Sequence, residues 1–555
     1  MKYLNHFMAV LAMTQILVAC NHGTTPSSKE RSVQNIPLTQ KDLSIPAPPP
    51  AAGAGIHELE DKAYAVPEVQ DKTSSLAAPL NTEDYDHIVE NNFHTVAQEP
   101  LSTFSIDVDR ASYSNIRRFI NDGSLPPKGV VRIEEMVNYF DYNYTPPANE
   151  DPFVVYTEIA SCPWNEKHHL VQIGLQGKKI STNNLPPSNL VFLVDISGSM
   201  DEPNKLPLVQ ESLKLLTDQL RENDKVAIVV YAGNAGLVLP STSGTDKIKI
   251  KEAIDELQAG GSTAGGEGIK LAYKIAEENV KPHGNNRIIL ATDGDFNVGA
   301  SSDDELVELI EKEKQSGIFL SVLGYGMGNY KDNKMQQLAD KGNGNHNYID
   351  NLNEAKKVLV NEFGGTLFTI AKDVKLQVEF NPALVNAYRL IGYENRLMAN
   401  EDFNDDKKDA GELGSGHTVT ALYEIIPAGV TDTFIRKVDH LKYQQKKDVS
   451  NATDEVMNIK LRYKLPESET SKLITYPVSN DNKSWQQGSD NFRFSAAVAE
   501  FGLLLRESVF KQNSSYQQTI TMAKDATGND ENGYRAEFVK LVKNAESLYR
   551  NVSIR

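Results

Sequence analysis

Four continuous apolar runs lie between residues 188 and 368: Val191 to Val194, Val226 to Val230, Ile288 to Ala291 and Ile318 to Leu323. Text at helical spacing separates them. Val209, Leu213, Leu216 and Leu220 follow the first run, and Ile269, Ala272, Tyr273 and Ala276 precede the third. A strand that reads as unbroken apolar text must be covered on both faces, as parallel strands are. Strand–helix alternation of this kind predicts a doubly wound, Rossmann-like α/β domain with right-handed crossovers.

The flanking text has a different period. Val171, Ile173 and Leu175 alternate with polar residues, as do Val374, Leu376, Val378 and Phe380. Val419, Ala421, Tyr423 and Ile425 repeat the pattern, and so do Met457, Ile459, Leu461 and Tyr463. Period two means strands with one buried face. These strands stand on both sides of the α/β region, so the expectation is a β-sandwich, residues 151–187 and 369–482, with the α/β domain of 188–368 inserted in it. Two independent β-domains are the alternative. Residues 84–150 form an α+β segment with a short strand over Ser102 to Asp109 and helices over Ala111 to Ile120 and Arg132 to Phe140. A helical tail over 483–555 carries Phe494, Val498, Phe501 and Leu505, then Phe538, Leu541, Val542 and Ala545.

The start of the chain reads as an address. Lys2 precedes an apolar run from Phe7 to Ala19, shorter than the roughly 20 residues that span a bilayer. It ends in Leu17-Val18-Ala19-Cys20, which resembles a bacterial lipobox and implies a signal peptide over 1–20 with lipidation of Cys20. Asn21, where Asp favours inner-membrane retention, directs the expectation to the outer membrane of a Gram-negative envelope. Residues 21–83, rich in Pro, Ala, Ser and Thr, read as a disordered tether. Cys162 is then the one cysteine left, which forbids an internal disulfide and suits a small buried hydrophobe. A formal charge of −18 argues against nucleic acid or an anionic membrane surface as partner.

Ligands of doubly wound sheets collect at the carboxyl ends of the strands. The run ending at Val194 continues as Asp195-Ile196-Ser197-Gly198-Ser199-Met200, and the run ending at Ala291 continues as Thr292-Asp293-Gly294. Gly260-Gly261-Ser262-Thr263-Ala264-Gly265-Gly266 leads into a helix between them. Asp195, Asp293, Ser197, Ser199 and Thr263 are hard oxygen donors without sulfur or imidazole, which suits Mg²⁺, with Mn²⁺ or Ca²⁺ as alternatives. Two carboxylates at most balance a dication, and the hydroxyls leave it electrophilic. An open coordination position would attract an acidic side chain of another protein.

These three pieces resemble the von Willebrand factor A family. The resemblance assigns Asp195, Ser197, Ser199, Thr263 and Asp293 to its metal-ion-dependent adhesion site. Phe104 to Asp109, Arg132 to Phe140, Cys162-Pro163-Trp164 and Gly411-Glu412 through Val419 resemble YfbK-like bacterial lipoproteins, which flank such a domain with family-specific segments.

Other signals carry less. Asp402-Phe403-Asn404-Asp405-Asp406-Lys407 starts like a calcium loop, but Lys407 replaces the turn glycine and Leu413 the bidentate glutamate. It reads as a solvated acidic loop. Asp107 and Asp109 read as polar edges of a strand rather than a second cation site. Adjacent His168 and His169 point to opposite faces of a strand, and His417 is isolated. Glu267 opens a helix, so neither it nor Asp295 reads as a general base. No nucleophile elbow, zinc-protease helix or phosphate loop is present, and the chain is not expected to be an enzyme. The expected function is a metal-dependent binding lipoprotein that recognises an acidic residue of a protein partner. A structural envelope component, in which the cation only steadies the loops, is the alternative.

Overall fold

The computed structural model describes residues 81–181, 185–263, 265–294, 303–362, 368–435, 453–481 and 483–553. Cys20, the signal segment and the tether expected over 21–83, except its last residues 81–83, lie outside these, as does Asp295.

The strands are β1 (His94–Thr95), β2 (Leu101–Ser105), β3 (Phe153–Cys162), β4 (Asn165–Gly177), β5 (Ser188–Asp195), β6 (Lys225–Tyr231), β7 (Ala235–Ser243) and β8 (Asn285–Thr292). They continue with β9 (Ile318–Tyr325), β10 (His346–Ile349), β11 (Thr369–Phe380), β12 (Val385–Ile391), β13 (Gly411–Gly414), β14 (Thr418–Pro427), β15 (Glu455–Lys464) and β16 (Lys472–Ser479).

The central sheet runs β10-β9-β8-β5-β6-β7, parallel except for the edge strand β7. Successive residues of β5 serve opposite cores, as a strand covered on both faces requires. Val191 and Leu193 meet Ile269, Ala272 and Tyr273 of the helix Gly265–Glu278. Leu190, Phe192 and Val194 meet Val209, Leu213 and Leu216 of the helix Leu206–Gln219. The chain runs outward from β5 to β6 and β7, then returns to β8 on β5's other side. The strand order therefore reverses between β5 and β8, and that crevice is where such sheets bind ligands.

Two antiparallel sheets make the sandwich. One has the order β1-β12-β14-β4-β3, and the other β13-β11-β15-β16 with β2 on β11. Val171 of β4 lies opposite Tyr423 of β14, and Ile173 opposite Ala421, so strands before and after the central domain are neighbours in one sheet. The inner faces share one core, in which Phe380 stacks on Tyr388 at 4.1 Å and Phe153 meets Tyr463 edge-on at 4.9 Å. The N-terminal segment supplies β1 and β2, one strand to each sheet. That pairing joins residues far apart in sequence and is not visible in local periodicity. The outer face of the first sheet, with Trp164, Leu170 and Leu422, packs under the helices Ala111–Asn121, Ile133–Asn138, Asp490–Leu505, Tyr516–Asp525 and Tyr534–Ser553. Cys162 is buried in this layer. Among the described residues no helix is long and apolar enough to cross a membrane.

Glu500, on the helix Asp490–Leu505, is fully enclosed and accepts the Ser515 amide at 3.0 Å. Burial pushes its carboxyl up to about 8. The native chain thus keeps a proton that the unfolded chain releases, so stability falls as pH rises from about 4.5 to about 8. Every tenfold difference in proton affinity between the two states is worth about 1.4 kcal/mol, and relaxation around an ionised carboxylate reduces the sum. Glu500→Gln should therefore gain about 2 kcal/mol at pH 9 and almost nothing at about pH 4, below the unfolded value. Denaturation at the two pH values checks this, and a variant with the wild-type pH dependence would refute it.

Candidate metal centre

Asp195 closes β5 with its carboxylate enclosed and both oxygens engaged, Oδ1 by a single donor. Oδ1 accepts the Ser197 amide at 2.9 Å, and Oδ2 accepts the hydroxyls of Tyr231 and Thr292, each at 3.0 Å. Burial, with the Asp293 charge adding to it, raises the Asp195 carboxyl to about 6. A carboxylate held ionised at this place gains from a neighbouring cation.

The Ser197 and Ser199 hydroxyls lie 3.1 Å apart, Ser197 buried and Ser199 exposed. Two backbone bonds dock the glycine loop onto this turn. The Gly198 amide donates to Gly261 O at 3.0 Å, and the Gly260 amide to Ile196 O at 2.7 Å. Gly261 adopts φ +87°, a conformation few other residues tolerate. Half-buried Thr263 follows two residues after Gly261.

Asp293, past the end of β8, is enclosed. Its Oδ2 accepts Lys205 Nζ at 3.1 Å and Asn329 Nδ2 at 2.9 Å. Lys205 is itself buried, lies just before the helix Leu206–Gln219, and also donates to Ser199 O at 3.0 Å. Gly326, at φ +73°, makes room for it: a Cβ there would stand 2.5 Å from Lys205 Cε. Lys205, Asn329 and Tyr231 also belong to the site, and no sequence motif points to any of the three; Thr292 stands inside the Thr292-Asp293-Gly294 piece without a role read from it. Their residue types are generic, and only the fold brings them to the two carboxylates.

The donor set of two carboxylates and the Ser197, Ser199 and Thr263 hydroxyls fits a hard divalent cation such as Mg²⁺ and no soft metal. Among the described residues no group of three or more His, Cys, Asp or Glu side chains is gathered for a metal. The other acidic candidates carry cationic partners instead. Arg396 lies 3.3 Å from Asp107, 3.1 Å from Asp109 and 3.0 Å from Asp340. Asp406, in the loop that starts like a calcium site, binds Arg462 at 3.1 Å. His168 is enclosed with its Nδ1 2.6 Å from Glu424, whereas His169 is half-buried. His417 is half-buried, and desolvation of its ring lowers it to about 3. Glu267 is exposed in the first turn of its helix.

A doubly wound sheet with an Asp-x-Ser-x-Ser loop and a second aspartate across its switch point defines a von Willebrand factor A-type domain. The family model for the von Willebrand factor type A domain matches residues 189–361, and domains of this type mediate protein–protein interactions and commonly bind a divalent cation. A model described as "Uncharacterized protein YfbK, C-terminal" matches residues 365–548, and one described as "von Willebrand factor" matches residues 79–172. The chain belongs to the YfbK family: it is 45% identical to YfbK of Escherichia coli strain K12 over 486 residues, which cover 86% of this chain and 83% of that one. Inter-alpha-trypsin inhibitor heavy chain H3 of Mus musculus is 23% identical over 54% of this chain and 37% of its own length. A solved von Willebrand factor type A protein from Catenulispora acidiphila aligns with 73% of this chain and 91% of its own at 15% identity, with a TM-score of 0.39.

Proposed function

We propose that the chain is a non-catalytic, lipid-tethered binding protein of the bacterial envelope, anchored through Cys20 at the outer membrane. Its A-type site holds Mg²⁺ through Asp195, Ser197, Ser199, Thr263 and Asp293, and the cation recognises a carboxylate of a protein partner. One observation carries this reading: two enclosed carboxylates stand at the switch point behind a hydroxyl loop whose Ser199 is exposed. That arrangement attracts a dication from within, with Lys205 offsetting part of the carboxylate charge, and leaves it approachable from outside. The alternative, in which the cation only steadies the loops, has less to explain. Lys205 and Asn329 already hold Asp293, and Gly198 and Gly260 already join the two loops.

Ser199→Ala is the sharpest probe because it removes one ligand oxygen from an exposed side chain and disturbs no packing. Full-length protein serves as bait in an envelope extract, as wild type with Mg²⁺, as wild type with EDTA, and as Ser199→Ala with Mg²⁺. A protein retained in the first arm and lost at least tenfold in the other two is the expected result; loss of a metal ligand or its close supporter costs about 10–100-fold in metal affinity. An identical set of bound proteins in all three arms would reject carboxylate recognition through the metal.

A further inference from the structure

The loop that carries Asn329 is held from the N-terminal side of the domain. Residues 82–84 run alongside Gly328 to Lys331, with Asp84 and Lys331 paired as a parallel bridge. The Thr82 amide donates to Gly328 O at 2.7 Å, and the Asp84 amide to Tyr330 O at 3.0 Å. The Asp332 amide returns a bond to Asp84 O at 3.2 Å, and Lys331 Nζ reaches Thr82 O. Between them Glu83 turns inward. Its Oε1 accepts the Gly328 amide at 2.8 Å, and its Oε2 takes Arg118 Nη2 and the Tyr85 hydroxyl, both at 3.0 Å. The Glu83 side chain is 3% exposed and that of Arg118 9%, so this anchor is largely shielded from water.

The other side of the same loop faces the metal centre. Asn329 donates to Asp293 Oδ2, and Gly326 lies against the stem of Lys205. Gly294, at φ +93°, lies so close that a Cβ there would stand 2.7 Å from the Lys331 amide. One short loop is therefore bonded on one side to the segment at 82–84 and on the other to Asp293 and Lys205 through Asn329, with the Tyr348 hydroxyl also donating to Gly326 O.

We infer that residues 82–84 act as a strap on the metal centre: by fixing Gly328 they hold Asn329 on Asp293, and so set the affinity of the site for its cation. This rests on the cation-binding reading above and adds a control to it. The physical reason is preorganisation, since a ligand carboxylate whose supporting donor is free to wander must be ordered when the metal binds. Asn329 is a positioning residue and Glu83 acts through it. Peeling three residues away from the loop would then lower the affinity of a site that none of them touches.

The test is titration of the full-length protein with Mn²⁺ alone, followed by electron paramagnetic resonance, with Ser199→Ala establishing that binding is at this site. Glu83→Ala and Asn329→Ala should each weaken Mn²⁺ binding about tenfold, within the range found for supporters of metal ligands. If Glu83 acts through Asn329, the double variant should bind no more weakly than Asn329→Ala, because residues in one chain of contacts do not add. Thr82→Pro deletes one amide donor at an exposed position, keeps the Glu83–Arg118 pair, and should weaken binding severalfold even where Glu83→Ala fails to fold. Wild-type affinity in Glu83→Ala and Thr82→Pro, or losses that multiply fully in the double variant, would overturn the strap and leave the cation site standing. A wild type that takes up no Mn²⁺ would overturn both.

Discussion

Asp293→Ala is expected to destabilise the central domain by about 3–5 kcal/mol in EDTA, and adding Lys205→Met should return most of that loss without restoring cation binding. Lys205 is 3% exposed, and its ammonium faces the wholly enclosed Asp293 at 3.1 Å and, at 4.0 Å, the exposed carboxylate of Glu202. Removing the aspartate leaves that charge with the Ser199 carbonyl, the more distant Asn329 amide oxygen at 3.4 Å and only the solvent-exposed Glu202 carboxylate at 4.0 Å. Breaking one side of a buried ion pair costs far more than replacing the pair, because the surviving charge stays out of water uncompensated. Methionine fills the lysine stem's volume without the charge. Hydrogen exchange of the β5 and β8 amides reads the effect within the domain itself. If Asp293→Ala exchanges like the wild type, the ion pair contributes nothing to stability.

Arg117→Met should cost as much, about 3–5 kcal/mol, for a related reason at a junction of three parts of the chain. Arg117 lies on the helix Ala111–Asn121, and its guanidinium binds Asp350 through Nε at 2.8 Å and also through Nη2. It reaches Glu354 at 2.7 Å, Glu537 at 3.1 Å and the Tyr139 hydroxyl at 3.1 Å. One side chain thus ties the N-terminal segment to the end of the A-type domain and to the final helix Tyr534–Ser553. Without it, the carboxylates of Asp350 and Glu354, 6% and 3% exposed, lose the cation between them. Arg117→Lys should recover only part of the loss, since an ammonium cannot present the planar fork these contacts use. Thermal melting orders the three proteins. Arg117→Met melting within about a degree of wild type would show that the junction is held by packing alone.

The parts of the architecture that obey a local period were legible in the sequence. The runs at Val191, Val226, Ile288 and Ile318 became β5, β6, β8 and β9, and the alternating segments became strands of two sheets sharing one core. Asp195, Ser197, Ser199 and Asp293 were legible because strand ends in such a sheet point their residues at one crevice. Lys205 was not, since a lysine before a helix is ordinarily solvated, and nothing local announces a buried carboxylate 88 residues away. The pairings of β1 and β2 with β12 and β11 were hidden for the same reason, because antiparallel partners hundreds of residues apart leave no periodic trace. The strap at 82–84 is likewise a property of contact, and its sequence reads as part of the approach to the first strand.

The pairing of β4 with β14 has a consequence for the order of events during synthesis. A ribosome releases β4 long before β14 exists, and everything between Gly177 and Thr418 must emerge first. The intervening A-type domain draws its sheet and, apart from Ala111 and Tyr85, both its cores from its own residues, so it can become compact while the strands on either side still lack their neighbours. Domains fold as units during translation, and pairings across long separations form late and slowly. For that interval β4 presents an unpaired backbone edge with no partner beyond β3, which makes the delay before β14 arrives an aggregation-prone stage in the life of the chain.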